Sequence, residues 1–276
     1  MTPTLKGKTI VMSGGSRGIG LAIALRAAGD GANIVMLAKT GTPDPRLSGT
    51  IHSAVEAIHE AGGQAAAVVG DVRDDSAIAR TIATARERFG AIDICINNAS
   101  VLTLAGTLAL EPKRYDLMQD VNTRGTFMLS RACIPLLLEA ENPHILTLSP
   151  PINLSNPAWL AKFPGYLLSK YGMTLATIAM AAEFKDKGLA ANTLWPRTTI
   201  ATDAVKNLMD DESVAGSRRP EIMADAAYEI LTAPSSIRTG QTLIDDEVLA
   251  EAGVSDLSSY ATTPGNTRFE TDFFLD

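Results

Sequence analysis

The sequence is poor in the residues that build disulfide frameworks, metal centres and membrane spans. Its 276 residues include two cysteines and three histidines, and no apolar run approaches the roughly 20 residues that a membrane helix requires. Cys95 and Cys133 stand inside apolar runs, which indicates small buried residues of a reducing compartment and excludes a disulfide framework. The histidines have no ligand spacing with these cysteines, so no metal site is predicted.

A basic surface is also missing, since the formal net charge is −7. This excludes the electrostatic footprint of a nucleic-acid-binding protein. No catalytic triad, paired-carboxylate site or P-loop lysine is recognisable, and Asp245-Asp246-Glu247 is interpreted as a solvated loop. The first predicted strand begins at Thr9, which leaves no room for a signal peptide, so we expect a cytoplasmic protein with no membrane span.

What the sequence does contain is a strand, a glycine-rich turn and a helix in succession at Thr9–Gly20. The apolar residues Thr9 to Met12 are typical of a strand that is buried on both faces of a parallel sheet. The turn brings unpaired backbone N–H groups and the positive end of a helix dipole to one point, which suits a pyrophosphate. Because a glycine-rich turn alone is also compatible with a plain strand–helix connection, the rest of the chain must decide.

Strands and helices alternate along the rest of the chain, which predicts a single-domain α/β protein with a doubly wound parallel sheet, the Rossmann fold. Further strands are predicted at Asn33–Ala38, Ala65–Gly70, Ile92–Ile96, His144–Leu148, Ala190–Trp195 and Thr242–Ile244. Helices are predicted from Leu21, at Ile51–Ala61 and Asp75–Phe89, around Arg114–Ala140 and at Tyr166–Lys187, with a loop at Lys39–Thr50. We expect residues 255–276 to be an extension that packs on the body or on a partner subunit.

Several motifs occur in an order that resembles the classical short-chain dehydrogenase/reductase family over residues 6 to 245. They are Gly14, Gly18 and Gly20, then Asn97-Asn98-Ala99, Asn122, and Tyr166-Leu-Leu-Ser-Lys170. The resemblance implies one such domain over residues 1–276, here without a sterol-carrier domain, and a nicotinamide cofactor. It also implies a homodimer or homotetramer through the two long helices after strands four and five, where Ile134–Leu138 and Met173–Met180 supply apolar residues.

The predicted catalytic pair is Tyr166 and Lys170, which share one face of a helix because they stand four residues apart. Reduction of a carbonyl builds negative charge on oxygen, so a proton donor is needed there. We expect the lysine to lower the pKa of the tyrosine phenol and to hold the nicotinamide ribose. The resemblance assigns to Asn122 a bound water that relays protons to the lysine.

The end of the second strand favours NADP(H) over NAD(H). An NAD-binding protein usually carries an acidic residue there, but this sequence has Ala38 followed by Lys39, and the glycine turn adds Arg17. Two cations and no acid suit a 2′-phosphate. The cofactor-binding residues predicted in total are Ser13, Gly14, Ser16, Arg17, Gly18, Ile19, Gly20, Ala38, Lys39, Asp71, Val72, Asn98, Ala99, Lys170, Pro196 and Thr199.

Three departures from the family pattern concern the substrate end of the site. The usual catalytic serine has its best counterpart in Ser149, seventeen positions before Tyr166 and next to Pro150, with Asn153 or Ser155 as substitutes. A Pro-Gly pair is replaced by Pro196-Arg197, which is expected to bring an arginine near the nicotinamide edge. The third glycine of Asn-Ala-Gly is replaced by Ser100.

Two functions follow from these observations. The first is an NADP(H)-dependent oxidoreductase that interconverts a carbonyl and a secondary alcohol, with Tyr166 as acid/base and Ser149 as its helper. The apolar segment Trp159–Pro164 suggests a lipophilic substrate. The second is a catalytically weak NADP(H)-binding sensor or partner protein, which the displaced serine favours.

Overall fold

The structure, a computed structural model, describes residues 4–45, 47–208 and 210–275. Within them, seven parallel strands form one sheet in the order β3-β2-β1-β4-β5-β6-β7. The strands are β1 (Thr9–Ser13), β2 (Asn33–Ala38), β3 (Gln64–Val69), β4 (Ile94–Asn97), β5 (His144–Thr147), β6 (Ala190–Trp195) and β7 (Thr242–Ile244). All seven predicted strands are therefore present, and the predicted Rossmann fold is confirmed. The strand order reverses between β1 and β4, where such sheets open a crevice for ligands.

The central strand β1 shows why this sheet reads as continuous apolar runs in the sequence. All five of its residues are buried. Ile10 and Met12 pack into the core on one face of the sheet, whereas Val11 packs into the core on the other. Both faces are covered by helices, so neither set of alternate residues faces water.

Helices lie on both faces of the sheet. The helices are α1 (Gly18–Ala28), α2 (Ile51–Glu60), α3 (Asp75–Phe89), α4 (Pro112–Met118), α5 (Gly125–Leu137), α6 (Pro157–Lys162), α7 (Pro164–Glu183), α8 (Asp203–Leu208), α9 (Asp211–Ala215), α10 (Glu221–Thr232) and α11 (Asp245–Glu251). Buried residues of α1, α2, α10 and α11 fill the core on one face, and those of α3, α5 and α7 fill it on the other.

Local capping explains where the predicted helices begin and end. The side chain of Asp74 accepts a hydrogen bond from the Ser76 amide at the start of α3, and Gly90 takes a left-handed conformation at its end. Thr50 and Ser53 form a reciprocal capping box on α2. The loop predicted at Lys39–Thr50 contains no helix or strand among its described residues, and Arg46 lies outside the described residues.

The long helix predicted around Arg114–Ala140 is divided into three parts. Between α4 and α5, residues Gln119–Arg124 form a π-helical turn. A π turn widens the helix and commonly occurs at functional sites. Asn122 lies in this turn and is fully buried.

Four helices after β6 differ from the predictions. No helix was predicted at α8, α9 or α10, and Asp245-Asp246-Glu247 was interpreted as a solvated loop. That placement is wrong, because these residues form the first turn of α11 and Asp245 is fully buried. Burial raises the pKa of Asp245 to about 6, although the amides of Arg197 and Asp246 donate to its carboxylate.

The last described residues, which we call the tail segment (residues 268–275), cross the carboxyl end of β6. Thr271 pairs with Thr198 in an antiparallel bridge, and the Asp272 amide donates to the Arg197 carbonyl over 3.0 Å. Phe274 is fully buried. Among the described residues other than glycine, it alone has a positive φ, of 70°. The tail segment therefore packs into the body of its own chain, next to the end of β6. Asp276, the end of the predicted extension, lies outside the described residues.

Candidate active site

The glycine turn lies at the carboxyl end of β1, directly against the carboxyl end of β4. Gly14 and Gly18 have φ values of +74° and +56°, which favour glycine. A Cβ atom on Gly14 would lie 2.8 Å from the Asn98 side-chain nitrogen, and one on Gly20 would lie 2.5 Å from it. Gly14 and Gly20 must therefore lack a side chain, because Asn98 lies so close to both.

Hydrogen bonds join the end of β4 to the glycine turn. The Asn98 side-chain amide donates to the carbonyls of Ser13 and Gly14, at 3.1 and 2.8 Å. The Ser13 hydroxyl in turn accepts from the amides of Asn98 and Ala99. These bonds fix the crevice between β1 and β4. Ser13 and Asn98, with Gly20 packed against Asn98, therefore form part of the wall of this crevice.

The start of α1 is open to an anion. Its N-cap residue, Arg17, makes no side-chain cap, and its first turn has no acidic residue. The first amides of a helix lack partners within the helix, and the helix dipole favours negative charge beside them. The glycine turn and this helix end therefore fit the pyrophosphate of a dinucleotide.

A cleft of about 520 Å³ runs along this crevice. Eleven of the predicted cofactor residues line it, namely Gly14, Ser16, Arg17, Gly18, Ile19, Ala38, Lys39, Asp71, Val72, Asn98 and Ala99. Ser100, Val101 and Val121 continue the lining, and Thr202 and Asp203 close its other side. The residues present thus fit the nucleotide part of a nicotinamide cofactor.

Both cations at the adenosine end of the cleft have partners within the chain. Lys39 Nζ lies 3.2 Å from the Asp71 carboxylate, which also accepts a hydrogen bond of 2.7 Å from Arg73. Burial alone would raise the pKa of Asp71, but the hydrogen bonds from Arg73 and Lys39 outweigh burial and hold this pKa well below its usual range. Arg17 donates to the carbonyls of Ser48 and Gly49, and its Nε lies 3.8 Å from the Asp203 carboxylate.

Tyr166 and Lys170 lie one turn apart on α7 and are 5% and 2% exposed. The Lys170 ammonium donates to the Leu148 carbonyl over 2.6 Å and lies 4.9 Å from the centre of the Trp195 ring. Burial lowers the pKa of Lys170 to about 7, against the attraction of Asp272. These contacts hold the ammonium below the end of β5, between α7 and β6.

The pKa of the Tyr166 phenol differs from the sequence prediction. Burial, together with the nearby Asp272 carboxylate, raises its pKa well above the usual value, although a hydrogen bond with Ser100 acts in the opposite direction. The prediction that Lys170 brings this pKa below its ordinary value is wrong in this structure, because burial is the largest effect. At neutral pH the phenol therefore carries its proton.

Asn122 connects the π turn to both neighbouring elements. Its side-chain oxygen accepts from the Val101 amide, and its nitrogen donates to the Val101 carbonyl, both over 2.8 Å. A third bond of 2.9 Å reaches the Ser169 hydroxyl on α7. Asn122 thus holds the loop after β4 against the helix that carries Tyr166 and Lys170.

The predicted catalytic serine, Ser149, is directed at α7, where Thr174 is its hydrogen-bond partner. The Ser149 hydroxyl is fully buried and accepts a hydrogen bond of 2.9 Å from Thr174, which is also 2.7 Å from the Pro150 carbonyl. Ser155 is exposed and donates to the side-chain oxygen of Asn153, and the backbone amide of Asn153 donates to the Tyr171 hydroxyl. The hydroxyl that bonds the Tyr166 phenol belongs instead to Ser100. Its only sequence signal was the departure from Asn-Ala-Gly.

The segment after β6 is engaged by other parts of the chain. Pro196 is buried, and the Thr199 amide donates to the Glu270 carbonyl of the tail segment over 3.0 Å, while the Thr199 hydroxyl pairs with that of Ser217. The Arg197 guanidinium is bound by the Asp246 and Glu247 carboxylates at the start of α11. The start of α11 therefore supplies the partners of Arg197, and its expected place near a nicotinamide stays a prediction.

The tail segment brings to the site aromatic residues and a carboxylate that were not predicted from the sequence. The Phe274 ring lies 5.8 Å from the rings of both Tyr166 and Tyr171. The indole nitrogen of Trp195 donates to the Phe273 carbonyl over 3.0 Å. Asp272 directly precedes Phe273 and Phe274. It is partly buried and interacts electrostatically with both Tyr166 and Lys170.

The described residues were compared with the requirements of a metal-ligand cluster and of a membrane-spanning helix. Residues 4–45, 47–208 and 210–275 contain no group of three histidine, cysteine or acidic side chains that could hold a metal ion. Among the same residues, no helix has the length and apolar character needed to span a membrane.

Comparisons with known proteins agree with this geometry. A family model described as short chain dehydrogenase matches residues 8–213. Hydroxysteroid dehydrogenase-like protein 2 is 49% identical in Danio rerio and 47% identical in Homo sapiens, each over 275 residues. The chain is fully covered in both cases but spans 65% of the length of those relatives.

Solved structures also resemble this chain closely. A crystal structure of a Xanthomonas campestris protein has 53% identity and a TM-score of 0.95, with 99% of both chains covered. A short chain dehydrogenase from Mycobacterium thermoresistibile has 51% identity and a TM-score of 0.93, and the match covers 99% of this chain and 96% of that one. The fold is thus shared over nearly the whole chain.

Proposed function

The chain belongs to the short-chain dehydrogenase/reductase family, and from this premise we propose that it is an NADP(H)-dependent oxidoreductase that interconverts a carbonyl group and a secondary alcohol. Members of this family use a nicotinamide cofactor. The observation that carries the proposal is the placement of Tyr166 and Lys170 on α7, beside the loop Ser100–Val101 in which the dinucleotide cleft ends. When bound, the cofactor supplies or accepts the hydride.

In the reduction, Tyr166 donates its phenolic proton to the carbonyl oxygen of the substrate. The raised pKa of Tyr166 keeps this proton in place at neutral pH, and the Ser100 hydroxyl orients the phenol through their hydrogen bond. Negative charge then remains on the phenolic oxygen, and the Lys170 ammonium one helical turn away stabilises it. Asn122 keeps the loop after β4 and α7 at a fixed separation.

The preference for NADP(H) rests on the charges at the end of β2. Ala38 is uncharged and stands where NAD-binding proteins usually carry an acidic residue. Arg17 and Lys39 both line the cleft there. Arg and Lys side chains bind phosphate, whereas an acid would repel it. The Asp71 and Asp203 carboxylates beside these cations reduce the net positive charge, so the preference is moderate.

A lipophilic substrate is supported by the surroundings of Tyr166. Tyr166, Tyr171, Trp195 and Phe274 belong to one buried cluster. Partly buried apolar side chains pack against this cluster, namely Val101, Leu102, Leu104, Leu110, Ile152, Trp159, Leu160, Phe163 and Phe273. A substrate that reaches Tyr166 would therefore pass mainly apolar and aromatic side chains.

We also propose a homodimer or homotetramer in the cytoplasm. Ile134, Met173 and Met180, which were expected to supply the interface, are buried within the chain. The exposed large hydrophobic side chains of the same two helices are Phe127 on α5 and Leu168 and Leu175 on α7, and Leu175 lies within the predicted segment Met173–Met180. Burying these against a second copy is the expected use of such a patch. The two buried free cysteines are in keeping with a reducing compartment.

Two observations favour the second function, a catalytically weak NADP(H)-binding sensor or partner protein. The Ser149 hydroxyl is directed to Thr174, and the tail segment packs directly on Tyr166. The two functions are separated by a binding titration with NADPH alongside turnover of a panel of aliphatic, aryl and acyl ketones. Binding together with turnover of at least one ketone supports the oxidoreductase, and tight binding without turnover of any supports the sensor.

A further inference from the structure

The Lys170 ammonium lies in a place that is costly for a charge. Lys170 is 2% exposed, and its ammonium donates a hydrogen bond to the Leu148 carbonyl and lies over the face of the Trp195 indole. Neither contact carries a full negative charge. A buried ammonium without a counter-charge tends to lose its proton, because burial disfavours the charged form.

The tail segment carries a carboxylate to this place. Asp272 is held on one side by its amide, which donates to the Arg197 carbonyl, and on the other by Phe273, whose carbonyl accepts from the Trp195 indole. The same indole lies against Lys170. One residue further on, the Phe274 ring packs 5.8 Å from the Tyr166 ring. Asp272 is thus fixed between the residues that contact Lys170 and Tyr166.

We propose that Asp272 is a positioning residue of the active site, whose carboxylate is the counter-charge that keeps the buried Lys170 ammonium protonated and in place beside Tyr166. The inference rests on the proposed function through the role of Lys170 in that reaction.

The charges around Asp272 are consistent with this role. Lys170 and Tyr166 face it from α7, Asp245 faces it from the start of α11, and Glu270 faces it along the tail segment. Burial and the two acidic neighbours raise the pKa of Asp272 to about 7, whereas the hydrogen bond that its carboxylate accepts from the Phe273 amide and the charge of Lys170 act in the opposite direction. Lys170 is the cation among these neighbours, so the carboxylate and the ammonium stabilise each other's charged forms.

The direct test is the titration of Lys170 in the whole protein by NMR of ε-¹³C-labelled lysine, with the signal assigned by its absence in Lys170→Ala. Removing a nearby negative charge lowers the pKa of an ammonium, so Asp272→Asn should shift the Lys170 midpoint down by about one pH unit or more. Asp272→Glu should restore most of the wild-type midpoint. Asp186→Asn, which removes an exposed carboxylate that is not among the neighbours of Asp272, is the matched control and should leave the midpoint within a few tenths of a unit.

A second readout links the titration to function without requiring turnover. NADPH affinity is measured against pH, and the alkaline loss of affinity should move to lower pH in Asp272→Asn by the same amount as the Lys170 midpoint. Asp272→Ala provides a second neutral side chain should Asp272→Asn not fold. If the midpoints of wild type and the neutral variants coincide, the inference is overturned. A shifted midpoint in a protein that turns over no ketone would support the Asp272–Lys170 pairing and count against the proposed reaction.

Discussion

The side-chain amide of Asn98 donates a hydrogen bond of 2.8 Å to the Gly14 carbonyl, and so ties the end of β4 to the glycine turn after β1. The two strands are neighbours in the sheet, and Ser13 is paired with Asn97 at its edge. The bond therefore sets the width of the crevice in which the dinucleotide is expected to lie. Any side chain on Gly14 would push Asn98 out of this position.

We predict that Gly14→Ala abolishes NADPH binding and destabilises the protein. Its Cβ would lie 2.8 Å from the Asn98 nitrogen and 2.9 Å from the Ala99 Cα, so backbone would have to move. The measurements are a thermal melt and a fluorescence titration with NADPH. Gly188→Ala is the matched control, since Gly188 has the same φ of +74° but nothing within 4 Å of an added Cβ. Both variants should lose about 1–2 kcal/mol from the unfavourable φ, and only Gly14→Ala should lose NADPH binding.

We predict that NADPH binds at least about tenfold more tightly than NADH, which corresponds to roughly 1.4 kcal/mol. The reason is that Arg17 and Lys39 line the cleft at the end of β2 whereas Ala38 brings no charge. Ala38→Asp should reverse the preference, since it adds a carboxylate where a 2′-phosphate would lie. Asp203→Asn should strengthen NADPH binding, because it removes the negative charge 3.8 Å from Arg17. Equal affinities of the wild type for both cofactors in calorimetry would contradict this interpretation.

We predict that the hydroxyl that assists Tyr166 is that of Ser100. Ser100→Ala should slow single-turnover hydride transfer by on the order of a hundredfold, the usual effect of one lost donor at a developing oxyanion. Ser149→Ala should instead cost about 1 kcal/mol of stability, since it removes a buried hydrogen bond with Thr174 and leaves the transfer rate nearly unchanged. The opposite pattern would restore Ser149 as the catalytic serine that the sequence predicted. A large loss in Ser155→Ala or Asn153→Ala would place the helper in the segment after β5.

We predict that the protein is a homodimer or homotetramer at micromolar concentration in sedimentation velocity. Leu168→Glu together with Leu175→Glu should dissociate it, because both leucines are more than half exposed on α7 and would be buried against a second copy. Ile237→Glu is the control, as Ile237 is 75% exposed but lies outside α5 and α7. A monomeric wild type would remove the proposed interface, and an equal effect of the control would assign it elsewhere.

The parts of the fold that were predictable from the sequence are those with a local signature. Strands of a parallel sheet that are buried on both faces appear as short apolar runs, which is why β1 to β7 were all predicted. The glycine turn was predictable for a similar reason, since the left-handed backbone at Gly14 and Gly18 requires that residue type. Tyr166 and Lys170 share a helical face at any position of the chain, because their spacing alone decides it.

The parts that could not be predicted depend on contacts between distant segments. Nothing in the sequence around Asp272 indicates that its carboxylate interacts with Lys170, because the tail segment reaches that part of the molecule through hydrogen bonds to Arg197 and Trp195. Burial under this segment also reverses the expected direction of the Tyr166 pKa. Asp245 was misplaced for the same reason, since its burial depends on accepting from the Arg197 amide.

The central claim is that Tyr166 is the proton donor of a carbonyl reduction, and Tyr166→Phe tests it most directly. The variant removes one hydroxyl group and keeps the ring that packs against Phe274. The measurement is the turnover number with NADPH and any ketone accepted by the wild type, beside the dissociation constant for NADPH. We expect turnover to fall by about a hundredfold or more while the dissociation constant stays within about twofold, since the hydroxyl acts in the transition state. Turnover at the wild-type rate in this variant would contradict the account.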